Sequence, residues 1–190
     1  QDAGARGPVR AFAYSGADSS RAAHLSQVLR LQGVEVLRAK GPLTVNGAHD
    51  YWGGNFGRKQ LPRGSCVVPL DQPLGELVRN LLEFHVAMPD SFLREERSWL
   101  ERGKGTRLYE DTAWSLLLGH GIESYWTGSL PQGDLESVTE VTPAPGRVEH
   151  PRPTAAYVID DTGAEVMVAV ARLLERGAAV RIALEPFDVG

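Results

Sequence analysis

Residues 9–14 (VRAFAY) begin the pattern that decides the predicted fold. A short apolar run of this kind is typical of a strand that is buried on both faces. Apolar residues at helical spacing follow, among them Leu25 and Leu29, and Gly33 stands where a helix ends in a left-handed residue. Residues 33–37 (GVEVL) supply a second strand. The segment is therefore predicted to form a β-α-β unit.

The same pattern returns near the end of the sequence as an internal repeat. Residues 155–159 (AAYVI) are again apolar, and residues 177–182 (GAAVRI) close the second copy. Gly177 stands 144 positions after Gly33, and Leu173 stands 144 positions after Leu29. A parallel pair of strands joined by a helix crosses over right-handed and requires helices on both faces of the sheet. The two β-α-β repeats thus predict an α/β fold, a three-layer sandwich around a mostly parallel sheet.

Length and composition fit one folded domain. The 190 residues are 42% hydrophobic and 23% charged, which is the balance of a globular protein with a sizeable core. We predict a linker at residues 1–7 and a single α/β domain at 8–190. Within that domain, residues 8–130 form the first part, 131–153 a proline-rich connector, and 154–190 the second β-α-β repeat.

Charge and cysteine content exclude several classes of function. The net charge of −4 argues against non-specific nucleic-acid binding, which requires a basic surface. No apolar run reaches the roughly 20 residues that span a bilayer. The single cysteine, Cys66, excludes an internal disulfide and a multi-cysteine zinc site. No leader sequence follows Gln1, so we expect any signal peptide to have been removed or to lie outside this sequence.

The block between the repeats is predicted from its turn residues and apolar spacing. Residues 44–63, rich in glycine, asparagine and aromatic residues, predict a turn-rich excursion, and residues 64–70 (GSCVVPL) predict a buried strand. The other predicted elements follow in chain order: a helix opened by Gln72 and Pro73, a surface segment at 88–105 with helix around 92–100, a short helix at 112–118 and a strand at 121–125.

His120 and Glu123 have the spacing of a His-x-x-Glu zinc pair. Catalytic zinc usually takes three protein ligands, and the only later histidine, His150, lies in the predicted connector. A loop histidine and a strand-edge glutamate are the simpler interpretation, which we favour. No metal ligands and no cofactor are therefore predicted within this chain.

Cys66 is a second candidate, as the nucleophile of a hydrolase. Catalytic cysteines of that type project from a sharp turn between a strand and a helix. Cys66 lies instead in the middle of the predicted strand, which favours a buried structural cysteine. An amidotransferase-like hydrolase that uses Cys66 is kept as an alternative.

Asp71 and Gln72 are the third candidate, because they follow a predicted buried strand at its carboxyl end. Open α/β sheets usually bind ligands at that end, and Tyr109, Asp111 and Trp114 are placed to approach the same edge. The simpler interpretation, helix capping by Asp71 and core packing by Trp114, is the one we favour. A small-ligand or peptide site formed by Asp71, Gln72 and Trp114 is the other hypothesis.

Two segments resemble a known family. Residues 64–73 (GSCVVPLDQP) and 109–116 (YEDTAWSL) are similar to the region downstream of the catalytic domain in large bacterial zinc carboxypeptidases of the M14 class. Those proteins carry a G-x-x-V-V-P-x-x-Q-P junction between strand and helix and a Y-D-x-T-A-W-x-L helix. Glu110 stands where the family more often has aspartate. The resemblance extends from about residue 7 to residue 190.

The resemblance carries expectations about fold, function and location. It implies a flavodoxin-like fold similar to class I glutamine amidotransferases, without their catalytic cysteine. It implies a non-catalytic accessory domain of a zinc metallocarboxypeptidase, whose peptide-hydrolysing zinc site belongs to a preceding domain. The expected partners are that peptidase domain and a peptide ligand, and the expected location is secreted or periplasmic.

Overall fold

The computed structural model describes residues 9–84, 88–106, 115–141, 148, 152, 155–159, 164–185 and 187. The chain divides into two compact units, residues 1–144 and residues 145–190. No helix in these described ranges is both long and apolar enough to cross a membrane.

The first unit contains every strand that the structure describes. The strands are β1 Ala11–Tyr14, β2 Leu37–Ala39, β3 Leu43–His49, β4 Asn55–Leu61, β5 Cys66–Pro69, β6 Ser124–Thr127 and β7 Leu135–Ser137. The helices of this unit are α1 Ser19–Leu31, α2 Gly75–Leu82, α3 Asp90–Glu101 and α4 Leu116–Gly119. The second unit contributes α5 Ala164–Glu175.

The seven strands form one sheet in the order β4-β3-β6-β1-β5-β2-β7, and all neighbouring strands are antiparallel. The predicted mostly parallel, flavodoxin-like or amidotransferase-like sheet is therefore wrong. The first β-α-β unit does exist, because β1 and β2 point the same way and α1 connects them. Its strands do not pair, however, since β5 lies between them and opposes both. The unit is a split β-α-β motif.

Helices α1, α2 and α4 pack on one face of this sheet. One core cluster joins strand residues to residues of α1, α2 and α4, for example Phe12, Leu25 and Leu82. The cluster on the other face consists of strand residues alone, among them Val45 and Leu61. The predicted three-layer sandwich, with helices on both faces, is therefore also wrong.

The β3–β4 hairpin takes the place of the expected second helical layer. At its start β3 bridges to Gln132, just ahead of β7, and at its end His49 pairs with Trp126 of β6. The hairpin thus lies across the face opposite α1. The turn-rich excursion predicted at residues 44–63 is wrong, because the glycines of this segment lie within and between two seven-residue strands. The alternation of buried Leu43 and Val45 with polar neighbours was the strand signal.

The other elements of the first unit agree more closely with the sequence. Helices α2 and α3 confirm the helices predicted after Pro73 and around 92–100. Residues 112–114 of the predicted short helix lie outside the described residues, and its end is α4. Strand β6 begins at Ser124, three residues later than the predicted start at Gly121. Of the stretch predicted as a connector, residues 131–138 join the sheet through β7 and the buried Val138.

The second predicted β-α-β repeat forms only its helix. Residues 155–159 and 178–182 adopt no strand in the described part of the second unit. Most of their large apolar side chains are exposed, with Tyr157 at 58% and Ile182 at 84%. The prediction of a second pair of strands is wrong because an apolar run becomes a strand only where other strands supply hydrogen-bond partners.

Candidate functional site

Cys66 lies at the start of β5, between β1 and β2, and is only 1% exposed. Its Sγ is 3.6 Å from the Ser26 Oγ and 3.6 Å from the Gly64 carbonyl oxygen. The Ser26 hydroxyl donates to the Ala22 carbonyl at 2.7 Å, so the Tyr14 hydroxyl donates to Ser26 at 2.7 Å. Burial, and then the neighbouring Cys66, raise the pKa of Tyr14. The thiol therefore lies among buried neutral hydroxyl groups.

Gln72 is occupied by backbone contacts. Its side-chain Nε2 donates to the carbonyl oxygens of Pro69 at 2.6 Å and Glu35 at 3.2 Å, and its Oε1 accepts from the Glu35 N–H at 2.8 Å. The amide thus joins the segment before β2 to the end of β5. This is a structural role, which uses both N–H donors of the amide and one lone pair of its oxygen.

Asp71, the neighbour of Gln72, is exposed and lines a cavity of about 470 Å³ together with Arg10, Leu37 and Ser129. Trp114, Tyr109 and Asp111, which were expected near this edge, lie outside the described residues. The rule that pointed to this edge applies to parallel strands. In an antiparallel sheet the carboxyl ends alternate between the two edges, so the rule does not select a site here.

His120 ends α4 and contacts α1 rather than Glu123. Its Nδ1 donates to the Leu116 carbonyl at 2.7 Å, so its Nε2 accepts from the Nδ1 of His24 at 3.2 Å. Burial lowers the pKa of His120, and the charges of His24 and Arg21 lower it further, against the opposing hydrogen bond to Leu116. The ring thus connects α4 to α1, which is a structural role.

Glu123 has its own partner, since its Oε1 accepts from the Tyr125 hydroxyl at 2.8 Å. His150, the third candidate ligand, lies outside the described residues. Among the residues that the structure does describe, no group of three or more His, Cys, Asp or Glu side chains is placed to hold a metal ion.

The sequence did not reveal a cavity of about 330 Å³ beside the β3–β4 turn, which Asp50, Trp52 and Glu123 help to line. Trp52 is 82% exposed and packs edge-to-face on Tyr51. The nearby Lys59 ammonium lies 4.3 Å from the Phe56 ring centre, and the Tyr125 hydroxyl and the acids raise the pKa of Lys59. Asp50 and Glu123 therefore line this cavity with a lysine close by.

A second cavity missed from the sequence, of about 320 Å³, lies where β1 ends and β5 begins. Its lining includes Gly16, Ser19, Arg38 and Arg63. The available signal was a pair of small-residue segments, Ser15-Gly16 and Gly64-Ser65, each at the end of an apolar strand. Nothing in the sequence shows that these segments meet, because the antiparallel pairing of β1 with β5 was not predicted.

No family model, no curated protein and no solved structure matches this chain. The resemblance to zinc carboxypeptidases thus depends on its two motifs, of which residues 64–73 are described and residues 109–114 are not. The fold that this resemblance implied is contradicted by the antiparallel sheet.

Proposed function

We propose that this chain is a non-catalytic accessory domain that works beside the peptidase domain of a zinc metallocarboxypeptidase-like protein. The observation that carries the proposal is the use made of the first motif, residues 64–73. Its strand, β5, lies inside the sheet, Cys66 is buried, and the Gln72 side chain forms hydrogen bonds to backbone groups. The residues of this motif therefore stabilise the sheet. Such a structural role is what we expect of a scaffolding or binding domain.

The candidate catalytic groups support the same proposal. A cysteine nucleophile needs an exposed thiol whose pKa is lowered by a base or a cation. Cys66 is only 1% exposed, and its thiol contacts the hydroxyls of Ser26 and Tyr14 and the Gly64 carbonyl. Arg38 and Arg63 line the same cavity, but burial keeps the thiol from the exposed position that a nucleophile needs. His120 and Glu123 are each tied to other partners. These side chains maintain packing, so the peptide hydrolysis of the parent protein would belong to another domain and its zinc.

A second candidate function is a small-ligand or peptide-binding module at Asp71. The cavity of about 470 Å³ favours it, because Asp71 and Arg10 there place opposite charges on one wall. A cavity of this size falls within the range of small-molecule sites. A thermal-shift screen with peptides and sugars, run on the chain and on Asp71→Asn, tests it. A stabilising compound should lose its effect in that variant but keep it in Asp134→Asn, whose carboxylate lies beside Lys40.

The accessory role is tested by incubating the full chain with peptides that carry a free C-terminus, with and without one equivalent of zinc. We expect no release of C-terminal amino acids and no retained zinc after dialysis. Chelator-sensitive turnover, or about one zinc per chain that is lost in His120→Gln, would overturn the proposal. Iodoacetamide separately tests the Cys66 hydrolase, which requires rapid labelling of the native thiol.

A further inference from the structure

The cavity where β1 ends and β5 begins has an unusual charge balance. Arg38 reaches it from β2 and Arg63 from the turn before β5. Within the described part of the chain, neither guanidinium forms an ion pair with a carboxylate. Two cations at one small cavity repel each other, and an anion placed between them would relieve that repulsion.

Two acids that neighbour this cavity in the chain or in the sheet, Asp18 and Glu136, are paired with other cations. Asp18 caps α1. Its carboxylate lies 3.2 Å from the Nε of Arg21 and accepts the backbone N–H of Arg21 at 3.0 Å. Glu136 lies opposite Arg38 in the β2–β7 register, yet its carboxylate is directed to Lys40 at 3.7 Å. Neither of these carboxylates forms an ion pair with Arg38 or Arg63, so both guanidinium groups are open to an external anion.

The walls of the cavity are fixed by close backbone packing. A Cβ at Gly16 would lie 2.3 Å from the Gly64 carbonyl carbon, so only glycine fits there. The Gly16 N–H donates to the Ser65 Oγ at 2.9 Å, and Ser65 donates in turn to the Pro62 carbonyl at 2.7 Å. The loop that leads into α1 is therefore held against the turn that carries Arg63, and the cavity exists before any ligand arrives.

The remaining lining suits a small and strongly charged ligand. Ser26 and Cys66 contribute buried neutral groups, while Ser19 at the first turn of α1 is exposed. A volume of about 320 Å³ is at the lower end of the range for small-molecule sites and admits a phosphate or a short dicarboxylate.

We propose that this cavity is a binding site for a small oxyanion of the phosphate or carboxylate class, held by Arg38 and Arg63. Guanidinium groups match both kinds of oxyanion through paired N–H donors. The site is separate from the Asp71 cavity and from any peptidase activity, so it stands whether or not the accessory role is correct.

The test is a calorimetric titration of the full chain with inorganic phosphate and, separately, with succinate, at constant ionic strength. The variants are Arg63→Gln and Arg38→Gln, and the control is Arg58→Gln, which removes the same charge from an exposed position on β4. We expect saturable binding of at least one probe, weakened about tenfold or more in both cavity variants and unchanged in the control. Phosphate binding alone would identify the ligand as a phosphate, and succinate binding alone as a carboxylate.

Two results would overturn the proposal. One is the absence of saturable binding for both probes. The other is equal weakening in all three variants, which would indicate a general effect of surface charge. If Arg38→Gln fails to fold, Arg63→Gln decides alone, because Arg63 is exposed on a turn.

Discussion

Residues 9–37 and residues 155–182 carry the same order of apolar run, helix and glycine-led run, and they occupy different environments. In the first copy Phe12 is 1% exposed and Leu25 is fully buried, whereas in the second copy Tyr157 is 58% exposed and Ile182 is 84% exposed. The first run pairs with β5 on one side and β6 on the other. The second has no strand partner among the described residues. The pattern shows which segments favour a strand, and the partners decide which of them form one.

The largest expected difference between the copies is in the cost of truncating equivalent leucines. Leu29→Ala removes a fully buried side chain from the core and should lower the free energy of unfolding by about 2–5 kcal/mol. The matched change in the second copy, Leu173→Ala, removes a half-buried side chain and should cost less than about 1 kcal/mol. Urea denaturation of both variants measures the difference, and equal costs would mean that the second copy is packed like the first.

An intermediate effect is expected from the contacts that tie the first copy to β5. Gln72→Ala removes three hydrogen bonds to backbone groups and should lower the free energy of unfolding by about 1–2 kcal/mol. Gln60→Ala is the control, because it removes one exposed side-chain hydrogen bond to Thr44 and should cost about 0.5 kcal/mol or less. A Gln72 variant as stable as the control would show that the amide does not hold the junction.

The smallest effect is a pH dependence at the contact between α1 and α4. Burial lowers the pKa of His120 in the folded protein, so the unfolded chain takes up the proton at a higher pH than the folded one does. The contribution to stability is therefore present above the unfolded pKa and is lost as the pH falls through the folded pKa. His120→Gln should flatten the fall in unfolding free energy between about pH 7 and pH 5. An unchanged slope would assign that fall to other groups.

Local patterns predicted elements in this chain better than they predicted pairing. Helix α1 was predicted from its apolar spacing, and in the structure the Asp18 carboxylate caps it by accepting the Arg21 N–H. The position of β5 between β1 and β2 could not be read from the sequence, because antiparallel and parallel buried strands have similar apolar runs. The β3–β4 hairpin was missed because the glycines between residues 47 and 57 interrupt its alternation.

The candidate sites were hard to predict for the same reason, because they depend on how the strands pair. Asp71 does line a cavity, but the physical reason for expecting one there belonged to a parallel sheet. Arg38 and Arg63 are 25 positions apart in the sequence and meet only because β5 returns beside β2. A site formed by strand pairing becomes predictable only once the pairing is known.

The central claim, that only the first copy belongs to a sheet, is tested most directly by hydrogen exchange of the full chain, followed by mass spectrometry. Peptides covering β1 and β5 should be strongly protected, because their amides lie in the interior of the sheet. Peptides covering residues 155–159 and 178–182 should exchange as rapidly as exposed loops. Protection of residues 155–159 equal to that of β1 would contradict the account, because it would place the second copy in a sheet as well.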